Sequence, residues 1–550
     1  MEGGHTVEDL TILPGPSYVP LDSSKYVGRP LAEHLLDNVA SNLESFGDIR
    51  WISNGAKLAL GRSQVFGEAS HSLAEVEPRA RQMARILHHK FGLRRGDVVH
   101  LLMPSNCEMY FGVLGTWLLQ GVVSPGDPGL SAEVVSLQLE EVRPKVVFCC
   151  LATVDKVREV LEVRGEDTPV IVMDGGEDDG RREEFSLESL LEEDKANKFA
   201  DPPPAAVVTE NEAVLICWSS GTTGRPKGIL HGPRMFLRLL GQKDPWNKTV
   251  QTTCLFHLGG FAHPLRAMVT GKETIFIAEE DLEDDVRVIL TVAEHVSADS
   301  LLCGSHHLIQ LAAAKSPAPA PSVKMIMPLG TNLYEAINDD LKQAFPSILG
   351  ILNIYGQSEA GGGLTIGFNQ RTLGNLICPA VRIASPSTGE AVGPGVVGEI
   401  TYRADTAMLG YLNHPEENIQ FFGRDGFHHS GDLGHYDHKG DLFFDGRLKE
   451  LIKYKNYHLY PNELEEMLLC HEDVEDAAVF GRPEPAVQEL VTALVVRREG
   501  ATVTAEELRM MVDARVDDHK KLRGGLKFVE KIPRNLQGKI VRRGLADIAI

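Results

Sequence analysis

The sequence predicts an α/β protein of at least two domains. Short apolar runs, Val98–Met103, Lys145–Cys150 and Pro169–Met173, read as strands covered on both faces. Helix-like stretches lie between such runs, as from Leu73 to Phe91, and strands alternating with helices imply largely parallel sheets. At 550 residues the chain is also too long for one ordinary core.

In chain order, Val98–Val123 is apolar enough to suggest a membrane span. His100, Pro104, Asn106 and Glu108 interrupt it, so a buried strand, a turn and a helix are expected instead. Asp174–Glu184 is an acidic run that reads as a solvated loop, because unpaired like charges resist burial. Asp201–Pro204 and Ser316–Ser322 are proline-rich connectors. Near the end, Gly440–Asp445 and Val491–Val496 read as strands, and Glu463–Leu469 and Ala505–Val516 as helices. Together they predict a closing α+β domain of ordinary size. The predicted boundary divides the chain into residues 1–446 and 447–550.

From Arg447 onward 18 basic residues balance 18 acidic ones, so the net charge of -22 sits on the preceding part. A chain this acidic gains nothing from a phosphate backbone, and nucleic acid is not an expected partner. The cysteines at 107, 149, 150, 217, 254, 303, 378 and 470 lack metal spacing and are expected as buried, reduced thiols. The first residues carry no secretory pattern, and Ile548–Ile550 is not a Ser-Lys-Leu-type ending. The expected location is cytoplasmic, with the peroxisome left open and no integral membrane segment.

The most chemical segment is Ser219–Gly228, SSGTTGRPKG. Gly221, Gly224 and Gly228 let the backbone approach an anion, Ser219, Ser220, Thr222 and Thr223 offer hydroxyls, and Arg225 and Lys227 add positive charge. Pro226 and Gly228 around Lys227 rule out the P-loop spacing. Further on come IYGQSEAG (354–361), GEITYRADTAMLGY (398–411), Ser430-Gly431-Asp432, Gly446–Glu450, Ile452–Tyr457 and Gln537–Ile540. This series resembles, in order, the signatures of the adenylate-forming superfamily, which includes acyl-CoA synthetases, 4-coumarate:CoA ligases and beetle luciferases.

The resemblance implies two α/β subdomains and a small β-barrel in the N-terminal part, followed by a mobile C-terminal lid hinged around Arg447–Lys449. It implies activation of a carboxylic acid by ATP to an acyl-AMP, then transfer to coenzyme A. Ser219 to Gly224 and Lys227 would hold phosphates. Glu359 would help place Mg²⁺, with Ser358 standing where the family usually has Thr. Tyr355 and Gly356 would lie at the adenine, as would Gly330 and Thr331, although relatives often carry a different segment there. Asp432 and Arg447 would take the ribose hydroxyls. Lys539 would be the decisive lysine of adenylation, Lys453 would serve the second conformation, and His257 would gate the passage between acyl pocket and thiol tunnel. Asn456 stands where many CoA-forming relatives have glycine.

An acceptor other than coenzyme A, as in a luciferase, stays open, as does a non-catalytic nucleotide- or acyl-binding relative. The histidines at 428, 429, 435 and 438 are assigned no transition metal, because Ser430-Gly431-Asp432 already accounts for that region. A monomer or weak dimer is expected.

Overall fold

Hydrophobic patterning places Val98–Leu102 in the middle of a sheet, and the computed structural model bears this out. It describes residues 12–14, 29–60, 70–175, 184–203, 210–219, 226–240, 245–282, 285–314, 319–330, 338–368, 371–455, 457–534, 540–542 and 544–549. Val98–Leu102 pairs in parallel with Val122–Gly126 on one side and Val146–Cys149 on the other. The sheet continues outward through Val170–Val172 to Glu184–Ser186, and in the other direction through Leu215–Trp218 and Gly228–His231 to Gly410–Tyr411. Leu73–Phe91 is a helix as expected, and its start is fixed by the Ser72 N–H donating to the Glu75 carboxylate at 2.8 Å. The apolar stretch after Val98 resolves into the predicted strand and the buried helix Met109–Leu118.

A second sheet runs Gly350–Ile351, Met325–Leu329, Ser300–Gly304, Lys248–Gln251, Glu273–Phe276, Arg50–Asn54 and Ser70–Ser72, with every pairing parallel except the last. The third unit of the large domain, expected as a small barrel, is antiparallel. Its five strands run in the order Ile12–Pro14, Ala380–Ala384, Gly398–Arg403, His428–Tyr436 and Leu442–Arg447. A three-stranded sheet of Asn353–Gln357, Gly362–Gly367 and Asn375–Leu376 lies beside it in sequence.

The closing unit is α+β with its own core, in which Leu464, Leu468, Val479, Val495, Leu508 and Val512 are buried together. Its central strands, Val474–Glu484 and Gln488–Arg497, form one long hairpin, and the helices are Pro461–Leu469 and Ala505–Asp513. Two expectations are adjusted. Arg447 closes the strand Leu442–Arg447 of the large domain, opposite Asp432, and the chain leaves that sheet only at the turn Leu448–Glu450. Cys470 is exposed, whereas six cysteines are buried and Cys254 is half-buried, all of them free thiols. Among the described residues no helix is long and apolar enough to cross a membrane.

Candidate active site

The neck of SSGTTGRPKG is a β-hairpin. Trp218 faces Gly228 and Cys217 faces Ile229 across the antiparallel pair. Ser219 closes it twice: its N–H donates to the Lys227 carbonyl at 3.0 Å, and its hydroxyl accepts from the Lys227 N–H at 3.2 Å. Ser220, Gly221, Thr222, Thr223, Gly224 and Arg225 lie outside the described residues, but both ends of their loop are thus held together. The Lys227 ammonium pairs with Glu417 at 2.7 Å and sits 5.6 Å from the centre of the Tyr411 ring. The same contact to Lys227 holds the Glu417 carboxyl below its usual range.

Tyr411 then links this neck to the second motif. Its hydroxyl donates to Glu359 Oε1 at 2.9 Å, and its strand, Gly410–Tyr411, pairs with Ile229 and Leu230 just past the loop. Glu359 lies in the one-turn helix Ser358–Ala360 that joins Asn353–Gln357 to Gly362–Gly367. The glycines of this segment are demanded by packing. A Cβ at Gly356 would meet the Gly362 carbonyl at 2.2 Å, and Gly361 combines φ +72° with a carbonyl 2.0 Å from where its Cβ would be. Gln357 donates to the Tyr402 hydroxyl at 2.8 Å.

Tyr355 is buried, and its hydroxyl donates to Asp432 Oδ2 at 3.0 Å. The other carboxylate oxygen of Asp432 lies 3.6 Å from Arg447 Nε, so one carboxylate spans both. From Arg447 a line of charges runs into the closing domain through Glu450 at 4.0 Å, then Arg542 at 2.9 Å, then Glu465 at 2.6 Å. Burial would push the Arg542 guanidinium down, but Glu465 and Glu450 outweigh it and hold it above its ordinary value.

These groups border one cleft of about 2120 Å³ between the large and the closing domain. Its walls include His257, Gly330, Tyr355, Gly356, Ser358, Asp432 and Arg447 from the expected set. His257 caps the helix Leu258–Thr270, and Gly330, with φ +112°, ends the strand Met325–Leu329. From the closing domain come Arg534 and Ile540, which pair in an antiparallel bridge. Lys539, immediately before Ile540, lies outside the described residues, as do Thr331 and Asn456. Ser219, Lys227 and Glu359 do not line it, but Ser219 follows the lining residue Trp218 and Glu359 follows the lining residue Ser358. Lys453 is not brought to the cleft. It is exposed on the strand Ile452–Tyr454, with its backbone N–H on Glu489 at 2.6 Å.

Sequence reasoning passed over two participants, Tyr411 and Glu417. The motif GEITYRADTAMLGY contained Tyr411, yet only the pairing of its strand with Gly228–His231 shows which segments it joins. The clustered histidines separate into different tasks: His429 contacts Glu399 at 2.8 Å, His435 contacts Asp445 at 2.7 Å, and His428 stacks on Phe421.

A family model described as AMP-binding enzyme matches residues 54–412, and one described as AMP-binding enzyme C-terminal domain matches residues 463–539. The chain belongs to the AMP-binding enzymes. It is 30% identical over 543 residues to 4-coumarate--CoA ligase 3 of Oryza sativa subsp. japonica, covering 93% of this chain and 92% of that one. It is 26% identical over 479 residues to Peroxisomal OPC-8:0-CoA ligase 1 of Arabidopsis thaliana, with 84% and 85% covered. Among solved structures, the anthranilate CoA ligase AuaEII in complex with anthranoyl-AMP matches with a TM-score of 0.79, at 18% identity and 99% of each chain. The adenylate-forming resemblance of the sequence therefore holds, and this AMP-binding enzyme has the large and small domains of that fold.

Proposed function

We propose that this AMP-binding enzyme is an acid–thiol ligase that joins a carboxylic acid to coenzyme A at the expense of ATP. In the first step the carboxylate oxygen attacks the α-phosphorus and the bond to the pyrophosphate oxygen breaks, giving acyl-AMP. In the second, the coenzyme A sulfur attacks the acyl carbon and AMP leaves with the bonding electrons. Both partners of the first step are anions, so positioning and charge stabilisation are the main work.

The observation that supports this reading is that Tyr355, Asp432 and Arg447, joined to one another, border the same cleft as Arg534 and Ile540, the described residues before and after Lys539 in sequence. In this reading Asp432 and Arg447 hold the ribose and Tyr355 and Gly330 border the base. Ser219 to Gly224 and Lys227 hold the β- and γ-phosphates, and Lys539 stabilises charge on the α-phosphate. Glu359 suits Mg²⁺, since it is a partly exposed carboxylate with one oxygen oriented by Tyr411 and hard cations prefer oxygen donors. Bound there, Mg²⁺ would offset phosphate charge. His257 would stand between the acid and the thiol. The closing domain would turn about the segment after Gly446, bringing Lys453 in for the second step.

The acid is proposed to be an aryl or acyl acid, in keeping with the 4-coumarate and OPC-8:0 ligases among the relatives, and the setting to be the cytosol or the peroxisome, with the protein a monomer or weak dimer. Pyrophosphate release across aryl and fatty acids, with and without coenzyme A, tests the reading. Acid-dependent pyrophosphate release accompanied by thioester is the expected result. Silence over the whole panel would instead favour a non-catalytic binding protein.

A further inference from the structure

Three neighbouring parallel strands of the second sheet, Ser300–Gly304, Lys248–Gln251 and Glu273–Phe276, end at the same edge. In open α/β sheets the carboxyl ends of strands are where ligands are held. Here each strand delivers one component within a few residues of its end. Thr252 follows the central strand, Glu279 begins the turn of helix Glu279–Leu282, and His306 and His307 open the helix Ser305–Ala313.

Glu279 Oε1 lies 3.3 Å from His307 Nε2 and 3.7 Å from His306 Nε2, and one donor atom from each of the three residues falls within 4.8 Å of the others. Zinc bonds to imidazole and carboxylate measure about 2.0–2.2 Å, so two ligand atoms on a tetrahedral ion stand about 3.3–3.6 Å apart. The carboxylate-to-His307 spacing of 3.3 Å falls in that range, and the carboxylate-to-His306 spacing of 3.7 Å lies just beyond it.

The outer contacts fix the ring that matters. The Thr252 hydroxyl donates to Cys303 Sγ at 3.1 Å and accepts from the Gly304 N–H at 3.2 Å. Its remaining lone pair faces His307 Nδ1 at 3.1 Å, which must therefore carry the proton. In the neutral ring that leaves a lone pair on His307 Nε2 facing a carboxylate oxygen, two acceptors between which either a proton or a metal ion fits. A second-sphere hydroxyl on the far nitrogen is the usual way a metal-binding imidazole is oriented. His306 is folded back over Gly304, where a Cβ would come within 2.7 Å of its ring, and its Nδ1 is buried without a hydrogen-bond partner among the described residues.

We propose that Glu279, His306 and His307 form a binding site for one divalent ion of the zinc type. Two imidazoles favour zinc over magnesium or calcium. Glu279 and His306 also border the large cleft, so the fourth coordination position opens into it and is taken by water or by a donor atom of a bound acid. The site is separate from the Mg²⁺ position at Glu359.

The test uses the full chain stripped by a chelator and then titrated with Zn²⁺ against a chromophoric competitor, and in parallel with Co²⁺. One Zn²⁺ per chain is expected, with the intense d–d absorption of four-coordinate cobalt. Glu279→Gln and His306→Ala should each weaken binding about a hundredfold or more, while the metal-free variants melt as the metal-free wild type does. His88→Ala, in the His88–His89 pair of the helix Leu73–Phe91, should change nothing. Substoichiometric Zn²⁺ uptake by the wild type, a weak six-coordinate cobalt spectrum, or equal affinity in the Glu279 and His306 variants would overturn the proposal. The cobalt spectrum is read on the wild type, so a variant that fails to fold does not remove the test.

Discussion

The hydroxyl of Tyr355 donates to the carboxylate of Asp432 at 3.0 Å across 77 residues of sequence, and Asp432 faces Arg447 in the adjoining strand. Burial pushes the Tyr355 phenol well above its ordinary value, so it stays protonated and the direction of this bond is fixed. The carboxylate proposed to meet the ribose is thereby oriented before any nucleotide arrives.

Tyr355→Phe should therefore raise the KM for ATP about tenfold, the scale of one lost hydrogen bond to a charged group. Asp432→Ala should raise it further. Steady-state kinetics, with a thermal melt to check folding, decide this. An unchanged KM in both variants would remove Asp432 from nucleotide binding.

Lys539→Ala should lower the rate of acyl-AMP formation by about a hundredfold or more while ATP binding persists, because charge stabilisation at the α-phosphate is used mainly in the transition state. The flanking residues Arg534 and Ile540 pair with each other at the cleft, so the loss should be local rather than a failure of folding. Pyrophosphate release near the wild-type rate would refute the role.

The hinge prediction rests on the end of the strand Leu442–Arg447. Gly446 has φ +149°, which side chains rarely adopt, and the turn Leu448–Glu450 follows at once. Leu448→Pro should slow thioester formation more than a single adenylation turnover, since a fixed φ removes freedom that the swing needs. Equal losses in both half-reactions would point to misfolding or to a hinge elsewhere.

Much of this architecture was legible because local patterns and burial agree. Val98–Leu102 lacks alternation and is covered on both faces, while Leu73–Phe91 has helical spacing and a Ser72–Glu75 start. Motif order likewise located Tyr355, Asp432 and Arg447 before the fold brought them to one cleft. What stayed hidden depends on pairing between distant segments. Glu417 meets Lys227, and Tyr411 meets Glu359, only because Gly410–Tyr411 joins the edge of the first sheet. Histidines grouped in sequence at 428–438 went to separate partners, whereas Glu279 reaches His306 and His307 through the shared edge of three strands.

Two buried histidines should set an acid limit on stability. Burial pushes His100 and His231 down to about 4, and neither ring nitrogen of His231 has a hydrogen-bond partner among the described residues. Both are neutral when folded, whereas an unfolded histidine takes up its proton near pH 6.5. Their folded pKa is depressed, so the folded state keeps its full stability above about pH 6.5 and loses it as pH falls toward about 4, by roughly 3 kcal/mol per group. His231→Leu should flatten the melting temperature between those two pH values. A parallel decline in the variant and the wild type would show that other groups control acid unfolding.

The acceptor in the second step turns on Asn456, which follows Lys455 in the loop where many CoA-forming relatives carry glycine. Lys455 itself has φ +54°, so the chain enters this loop through a left-handed residue. Among residues other than glycine, Asn tolerates left-handed backbone angles best, so replacing glycine by Asn need not alter the fold of such a loop. Its cost would fall on the passage of the pantetheine arm, which an added side chain narrows, and not on adenylation. We expect acyl-AMP to accumulate on the enzyme in the presence of coenzyme A, and Asn456→Gly to speed its discharge without changing pyrophosphate release. Quenched-flow measurement of bound acyl-AMP in both proteins separates the cases. Rapid clearance by the wild type, with no gain in the glycine variant, would make Asn456 a neutral replacement and leave coenzyme A transfer unimpeded.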